Sequence, residues 1–228
     1  DSSIRTIYRD FAKLFEINRF LSIQEAKMQH GEYQLLQGER RLQHGGSCGT
    51  TDYKDIRQYY CQHSSTTLIY VHIATLHTSS AKENINFIQT ITNCSYIHLV
   101  IFSSYHSDMR MSKLEASEVP FHIHPDQYKI QLEEACDILM EECLKKKDQE
   151  QLYIWMEPYP PKQTLNYEQT QQFETILCET NGIATQKGYQ IFNTKQIWDN
   201  TKEHLIQPGS NHFSPAGNKE RLSKEKKI

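Results

Sequence analysis

A serine near the start of the chain and a histidine near its end could form a hydrolytic pair. Ser2 begins a segment whose apolar residues recur with helical spacing. Free N–H groups and the positive dipole end at a helix start would stabilise an oxyanion beside a serine nucleophile. His212 lies in a predicted loop and could accept the serine proton if the fold brings the chain ends together. The plainer alternative is that Ser2 only caps its helix.

Two other groups of residues suggest chemistry, and each has a simpler interpretation. His122 and His124 alternate just before Asp126, but a zinc site needs a further ligand and an open position, which favours surface histidines ahead of a helix. The glycine-rich stretch 45–49 lacks the Gly-Lys-Ser/Thr ending of a phosphate-binding loop. We interpret it as a flexible active-site loop, with Cys48 as a weaker alternative nucleophile because no cation flanks it. We expect no metal and no cofactor.

The hydrophobic pattern predicts the elements that must position these residues. Runs rich in β-branched and aromatic residues predict strands, and longer patterns with spacings of three and four predict helices between them. This alternation predicts an α/β fold with a mostly parallel sheet and helices on both faces, in which loops after strand carboxyl ends build the site. The predicted strands are 67–73, 96–103, 152–156 and 189–192, and the predicted helices are 4–20, 81–92, 128–143 with Pro125 in its first turn, 167–180 and 215–224.

Glycines mark the predicted turns. The pairs at 181–182 and 187–188 indicate a helix end and a turn into the next strand. The stretch 37–53 is rich in glycine and is predicted to be a long loop. No internal repeat or Pro/Gly linker divides the sequence, so we predict a single domain over 1–222 and a charged tail over 223–228.

Composition excludes several classes of protein. The chain has 228 residues, a formal net charge of -3 with interspersed signs, and 11% aromatic residues. So many aromatics exclude a disordered chain, and the charge offers no clustered basic face for nucleic acid. The longest apolar runs are too short for a membrane span, and no signal peptide is evident. The six cysteines lack a Cys-x-x-Cys pair, which is typical of free thiols and favours a cytoplasmic over a secreted protein.

Several segments match the motifs of one hydrolase family in order. The opening 1–10 reads Asp-Ser-x-x-Arg-x-x-Tyr-x-Asp and resembles Gly-Asp-Ser-x-x-Arg-x-x-Tyr-Lys-Asp. Segment 53–59 reads Tyr-Lys-Asp-Ile-Arg-Gln-Tyr and resembles Tyr-Arg-Glu-Val-Arg-Gln-Phe. Segments 98–104 and 152–156 are similar to two later strands of that family, and 209–218 contains a His-x-Ser-Pro-x-Gly run. The chain therefore resembles the SGNH (GDSL-like) hydrolases and, more closely, the PC-esterase domain-containing family, over nearly its whole length.

That resemblance implies a three-layer, flavodoxin-like α/β/α fold and hydrolysis of an acyl ester whose identity the motifs leave open. It assigns the nucleophile to Ser2 and the base to His212. Gly49, Ser103 and Asp108 are the candidates for the oxyanion hole or the cleft. The family layout also places a hydrophobic strand and a glycine ahead of the opening motif, so we expect the first strand of the sheet to be absent from the chain. The motifs do not specify an oligomeric state.

Two departures from the family motifs bear on activity. The family's aspartate three residues before the histidine corresponds to Gly209, and its strand-end asparagine corresponds to Ser103. Loss of the orienting carboxylate lowers the rate about 10⁴-fold in the serine-protease template, and loss of one oxyanion donor about 10²–10³-fold. Asp108 and Asp199 are the candidate substitutes for that carboxylate. Two hypotheses stay open: a serine esterase, weak or inactive, and an inert member of the family that binds a partner in its cleft.

Overall fold

The fold is seen in a computed structural model that describes residues 2–22, 25, 35–47, 50, 52–76, 79–91, 96–104, 125–143, 150–158, 167–194 and 196. The chain divides into two compact units, unit 1 (1–72 and 196–228) and unit 2 (73–195). Unit 1 contains helix α1 (Ser2–Ile17) and strands β1 (Glu39–Gly45), β2 (Lys54–Cys61) and β3 (Thr66–Val71). Unit 2 contains helix α2 (Ser79–Ile91), strand β4 (Leu99–Phe102), helix α3 (Pro125–Cys143), strand β5 (Leu152–Met156), helix α4 (Tyr167–Gln186) and strand β6 (Gln190–Phe192).

The strands of unit 1 form an antiparallel sheet in the order β1-β2-β3, and α1 packs on one face of it. Successive side chains of a strand point to opposite faces, and the residues at odd positions from 55 to 61 in β2 are all buried. Opposite them, α1 places Tyr8 and Ala12 in a buried apolar cluster with Tyr59, Cys61 and Tyr70. The helix pattern predicted over 4–20 is therefore confirmed in type, and its apolar stripe forms one half of this core.

The predicted long loop over 37–53 is wrong, because strand β1 lies within it. The strand was missed because its residues are mostly polar, Glu-Arg-Arg-Leu-Gln-His-Gly, and carry no alternating apolar signal. The expected parallel pairing also fails in unit 1, where β3 joins β2 through the tight turn 62–65 as an antiparallel hairpin. The buried face of β2 includes the charged residues Asp55 and Arg57, so a search for apolar runs does not detect this strand.

Unit 2 matches the expected alternation of strands and helices. Its strands form a parallel sheet in the order β4-β5-β6, at positions close to three of the predicted strands. Parallel neighbours need long crossover connections, and α3 and α4 lie within these two crossovers. The α2 helix packs against α3, and α3 packs against α4. In the sheet the fully buried Trp155 ring lies 5.4 Å from the Phe102 ring in an edge-on arrangement. The fold is thus mixed α/β, with one antiparallel and one parallel sheet among the described residues.

Helix α4 ends later than the sequence predicts. The expected end at 181–182 is wrong, since the helix continues through the exposed Gly182 to Gln186. It stops instead at Gly188, whose φ of 85° is a left-handed conformation that favours glycine. The Tyr189 N–H then donates to the Ala184 carbonyl oxygen at 2.9 Å, which satisfies one of the last carbonyls of the helix.

Further sequence expectations concern the cysteines, membrane spans and the chain end. Cys61 and Cys136 are free and buried, and Cys178 is free and exposed. Burial raises the pKa of Cys136 to about 12, so its thiol is inert at neutral pH. No helix in the described segments is long and apolar enough to cross a membrane. The predicted helix 215–224 and the tail 223–228 lie outside the described residues.

Gly182 and Gly188 form a matched pair for testing the end of α4. No heavy atom lies within 4 Å of a Cβ added at either position, so alanine there changes only backbone preferences. We expect Gly188→Ala to destabilise the protein by about 1–2 kcal/mol because of its positive φ. Gly182→Ala should stabilise it by about 0.5–1 kcal/mol, because alanine suits a helix interior. Urea unfolding measures both, and equal effects of the same sign would contradict this helix end.

Candidate functional site

Helix α1 lies along the sheet of unit 1 with its first turn at the charged end. At the apolar end, the Cys61 sulfur lies 3.9 Å from the Ala12 carbonyl oxygen. At the other end, Arg5 Nη1 lies 3.3 Å from Asp55 Oδ2. Ser2 is the first residue of the helix and precedes Arg5 by almost one turn of about 3.6 residues. The backbone of Ser2 therefore lies at the charged end of the sheet.

Asp55 is the centre of a buried ion-pair network. Arg57 Nε donates to both of its carboxylate oxygens, at 2.8 and 2.9 Å. Arg5 Nη1 and Arg41 Nε lie 3.3 and 3.4 Å from the same carboxylate. The side chains of Asp55 and Arg57 are both fully buried, and buried charges persist only when partners replace their water. Through this one carboxylate, α1, β1 and β2 are bound together.

Glu39 is the second carboxylate of the network. Its Oε2 accepts a hydrogen bond from the Leu36 N–H at 2.9 Å and lies 3.5 Å from Arg57 Nη1. Arg9 Nη2 lies 3.9 Å from the same oxygen. Burial lowers the pKa of Arg9 to about 10, although Glu39 acts in the opposite direction, so the guanidinium is still charged at neutral pH. Arg57 thus bridges the two buried carboxylates.

The two motif segments at 1–10 and 53–59 meet in this network. The first contributes Arg5 from helix α1, and the second contributes Asp55 and Arg57 from strand β2. Asp10, the last residue of the opening motif, accepts a hydrogen bond from the Leu21 N–H at 2.9 Å and fixes the chain after the helix. The motif side chains therefore build the framework of unit 1. Arginines four apart in α1, facing charges two apart in β2, are the pattern that could have indicated it.

An aromatic group that the sequence reasoning missed lies at the same end of the sheet. The His72 ring, just after β3, lies 4.7 Å from the Tyr53 ring in an edge-on arrangement, and its Nδ1 lies 3.0 Å from Tyr70 Oη. Burial lowers the pKa of His72 to about 2, and the nearby Arg5 adds to this effect. Burial also raises the pKa of Tyr70. Both groups are neutral at physiological pH, so they can exchange a hydrogen bond, but the imidazole is a weak general base.

Of the predicted site residues, only Ser2 and Ser103 lie in the described part of the structure. Ser2 begins α1, while its side chain lies outside the described part of the structure. Ser103 directly follows β4 in unit 2 and is partly buried. The remaining predicted positions lie outside the described residues: Cys48, Gly49, Asp108, His122, His124, Asp199, Gly209 and His212. In the segments that are described, no three His, Cys, Asp or Glu side chains are grouped as metal ligands would be.

The parallel sheet of unit 2 adds a second polar group, at its carboxyl edge. Ser103 follows β4, and the buried Glu157 follows β5. Glu157 Oε1 accepts a hydrogen bond from Asn181 Nδ2 at 2.6 Å, and its main-chain oxygen accepts one from Thr194 Oγ1, also at 2.6 Å. Trp155 Nε1 in turn donates to Asn181 Oδ1 at 3.1 Å. Ligands of open α/β sheets bind at this edge, so Glu157 is a candidate ligand-binding residue. The sequence did not indicate it, because a single acidic residue after a strand is a weak signal.

No protein-family model, curated protein or solved structure matches the chain. The assignment of function therefore depends on the residues themselves. The described residues form a helix start that a buried ion pair, Arg5 with Asp55, fixes to the sheet. The neutral side chains of Tyr70 and His72 lie at the same end of the sheet. Such an arrangement can hold a polar group in a fixed position, which is the first requirement of a nucleophilic site.

The buried His72 predicts a pH dependence of stability. An unfolded histidine has a pKa of about 6.5, whereas the folded value is about 2. Below about pH 6.5 the unfolded chain binds a proton that the folded chain does not. The free energy of unfolding therefore decreases as the pH is lowered, by up to about 1.4 kcal/mol per pH unit, until the pH reaches the folded pKa. His72→Gln should flatten the decline between about pH 6 and 4 in urea unfolding. His63→Gln is the control because that side chain is 74% exposed, and an equal flattening there would contradict the role of burial.

Proposed function

We propose that the protein is a serine esterase of the SGNH type, similar to the PC-esterase domain-containing family, with Ser2 as nucleophile and His212 as proton acceptor. One observation carries the proposal: the helix that begins with Ser2 is fixed at its first turn by residues of both motif segments. A nucleophile at a helix start gains N–H groups for the oxyanion, and a fixed anchor preserves its geometry. The proposed fold is the three-layer SGNH arrangement, and the parallel sheet of unit 2 supports its α/β character.

The proposed reaction proceeds in two steps. Ser2 Oγ attacks the carbonyl carbon of an acyl ester while His212 accepts the hydroxyl proton. The alcohol leaves with that proton, and an acyl-serine forms. Water then attacks the acyl-serine, again giving a proton to His212, and the carboxylic acid is released as Ser2 recovers its proton. The N–H groups at the helix start would stabilise the oxyanion, and Gly49 is the proposed neighbouring donor.

The nucleophile is tested by covalent labelling. A fluorophosphonate probe should label the full chain, and Ser2→Ala should abolish the labelling because it removes the proposed nucleophile. Ser3→Ala is the matched control, because it removes the neighbouring hydroxyl in the same turn and should leave labelling unchanged. Intact, folded wild-type protein that never reacts, or Ser2→Ala protein that reacts as fast, would disprove the assignment. In-gel fluorescence and mass spectrometry of the labelled peptide give the readout.

An inert family member that binds a partner in its cleft is the alternative, and Gly209 is the observation that favours it. The family motif needs a carboxylate at this position to hold the catalytic imidazole in its productive tautomer, and glycine has no side chain. Ser103 likewise replaces the family's strand-end asparagine. Both changes lower activity in the same direction, although their effects need not add.

Restoring the carboxylate separates the two functions. Gly209→Asp should raise kcat/KM for p-nitrophenyl acetate by at least about tenfold, with an upper limit of about 10⁴ set by the serine-protease template. Gly209→Asn is the control, because an amide has a similar shape but favours the wrong imidazole tautomer. Esterase activity that rises with Asp and not with Asn supports the enzyme. Activity that is absent in the wild type and in both variants supports the inert binding protein.

A further inference from the structure

We infer that Arg5 is the positioning residue of the Ser2 nucleophile and acts by fixing the first turn of α1 against Asp55. The inference rests on the proposed function of Ser2. Residues three apart in a helix lie on neighbouring positions of one face, so the face that carries Ser2 also carries Arg5. The contact of Arg5 Nη1 with Asp55 Oδ2, at 3.3 Å, therefore constrains the same turn that presents the nucleophile.

The contact of Arg5 lies in the first turn of α1, the part of a helix that most readily frays. The first N–H groups of any helix have no partner within the helix, and helix ends fray. Tyr8 and Ala12 are the residues of α1 in the buried apolar cluster, and both belong to later turns. In the first turn, the partly buried Ile4 packs against that cluster. Arg5 adds a charged contact with the sheet to this turn.

The partner of Arg5 is itself held firmly. Asp55 lies in the central strand of its sheet, and its carboxylate is bound by Arg57 Nε at 2.8 and 2.9 Å. The Arg5 side chain is only 11% exposed and that of Asp55 is fully buried, so solvent and salt screen the pair weakly. Because Asp55 is buried and held in place, its contact with Arg5 fixes the helix start relative to the sheet. This is the property that distinguishes a positioning contact from a surface ion pair.

Arg9 provides a matched comparison on the same helix. It lies one turn after Arg5, is also buried, and contacts Glu39 at the longer distance of 3.9 Å. It adjoins Tyr8 in the part of the helix that the apolar cluster already holds. Loss of Arg9 should therefore weaken unit 1 as a whole, whereas loss of Arg5 should selectively loosen the first turn. A purely structural role of Arg5 would make the two variants alike.

The experiment combines amide hydrogen exchange and labelling of the full chain in Arg5→Gln, Arg5→Lys and Arg9→Gln. The Thr6 and Ile7 N–H groups report on the first turn, because in an α-helix they bond to the carbonyls of residues 2 and 3. In Arg5→Gln we expect their exchange to accelerate at least about tenfold relative to the Ala12 amide. The fluorophosphonate reaction of Ser2 should slow about 10²-fold, since a displacement of about 1 Å has that effect. Arg5→Lys should recover part of both losses, and Arg9→Gln should change exchange evenly along the helix.

The outcomes separate three statements: that Arg5 anchors the first turn, that it positions Ser2, and that Ser2 is a nucleophile. Wild-type protection at Thr6 and Ile7 in Arg5→Gln would overturn the anchoring role. A loosened first turn with an unchanged rate of Ser2 labelling would overturn the positioning role, while the proposed function would stand. Wild-type protein that never labels would overturn the proposed function and with it the catalytic consequence, and the exchange data would still show whether Arg5 anchors the helix. If Arg5→Gln fails to fold by circular dichroism, Arg5→Lys supplies the same comparison, because lysine keeps the charge but not the planar geometry of the guanidinium.

Discussion

A carboxylate can be removed from water only if other groups take over its solvation, and unit 1 is organised around that requirement at Asp55. Three guanidinium groups from two strands and one helix lie within 3.4 Å of its oxygens. Buried ion pairs of this kind add little net stability compared with a well-packed apolar core, but removing one partner leaves an uncompensated charge and costs about 3–5 kcal/mol. We therefore expect the network to contribute mainly by favouring one alignment of β1, β2 and α1 over others.

In unit 2 a buried carboxyl group, that of Glu157, accepts a hydrogen bond from a neutral amide. Trp155 is fully buried, its indole N–H is satisfied by Asn181, and that amide in turn satisfies Glu157. Both donors in this chain, the indole N–H and the amide N–H, are neutral groups. The arginine–carboxylate network belongs to the unit that carries Ser2, and the hydrogen-bonded chain of Trp155, Asn181 and Glu157 belongs to the unit that carries Ser103.

The sequence was informative where burial follows periodicity. The strand over 152–156 and the helix that includes Leu132 and Cys136 were predicted closely, because their apolar residues recur at the spacing of each element. Strand β1 was missed because its inward residues, such as Glu39 and Arg41, are charged, and their burial depends on partners distant in the chain. His72 was missed for a related reason: only the tertiary contacts with Tyr53 and Tyr70 show that its ring is desolvated and neutral.

The contact between Arg5 and Asp55 joins residues 50 positions apart, and this separation bears on the order in which unit 1 folds. Asp55 and Arg57 are neighbours on one strand, and β2 reaches β3 through a short turn, so the hairpin can assemble its own ion pair by local contacts. Docking of α1 must close a far longer loop, and that entropy is lost before the contact compensates for it. We therefore expect the hairpin to form first and α1 to dock on it, so that the helix start becomes ordered late in folding.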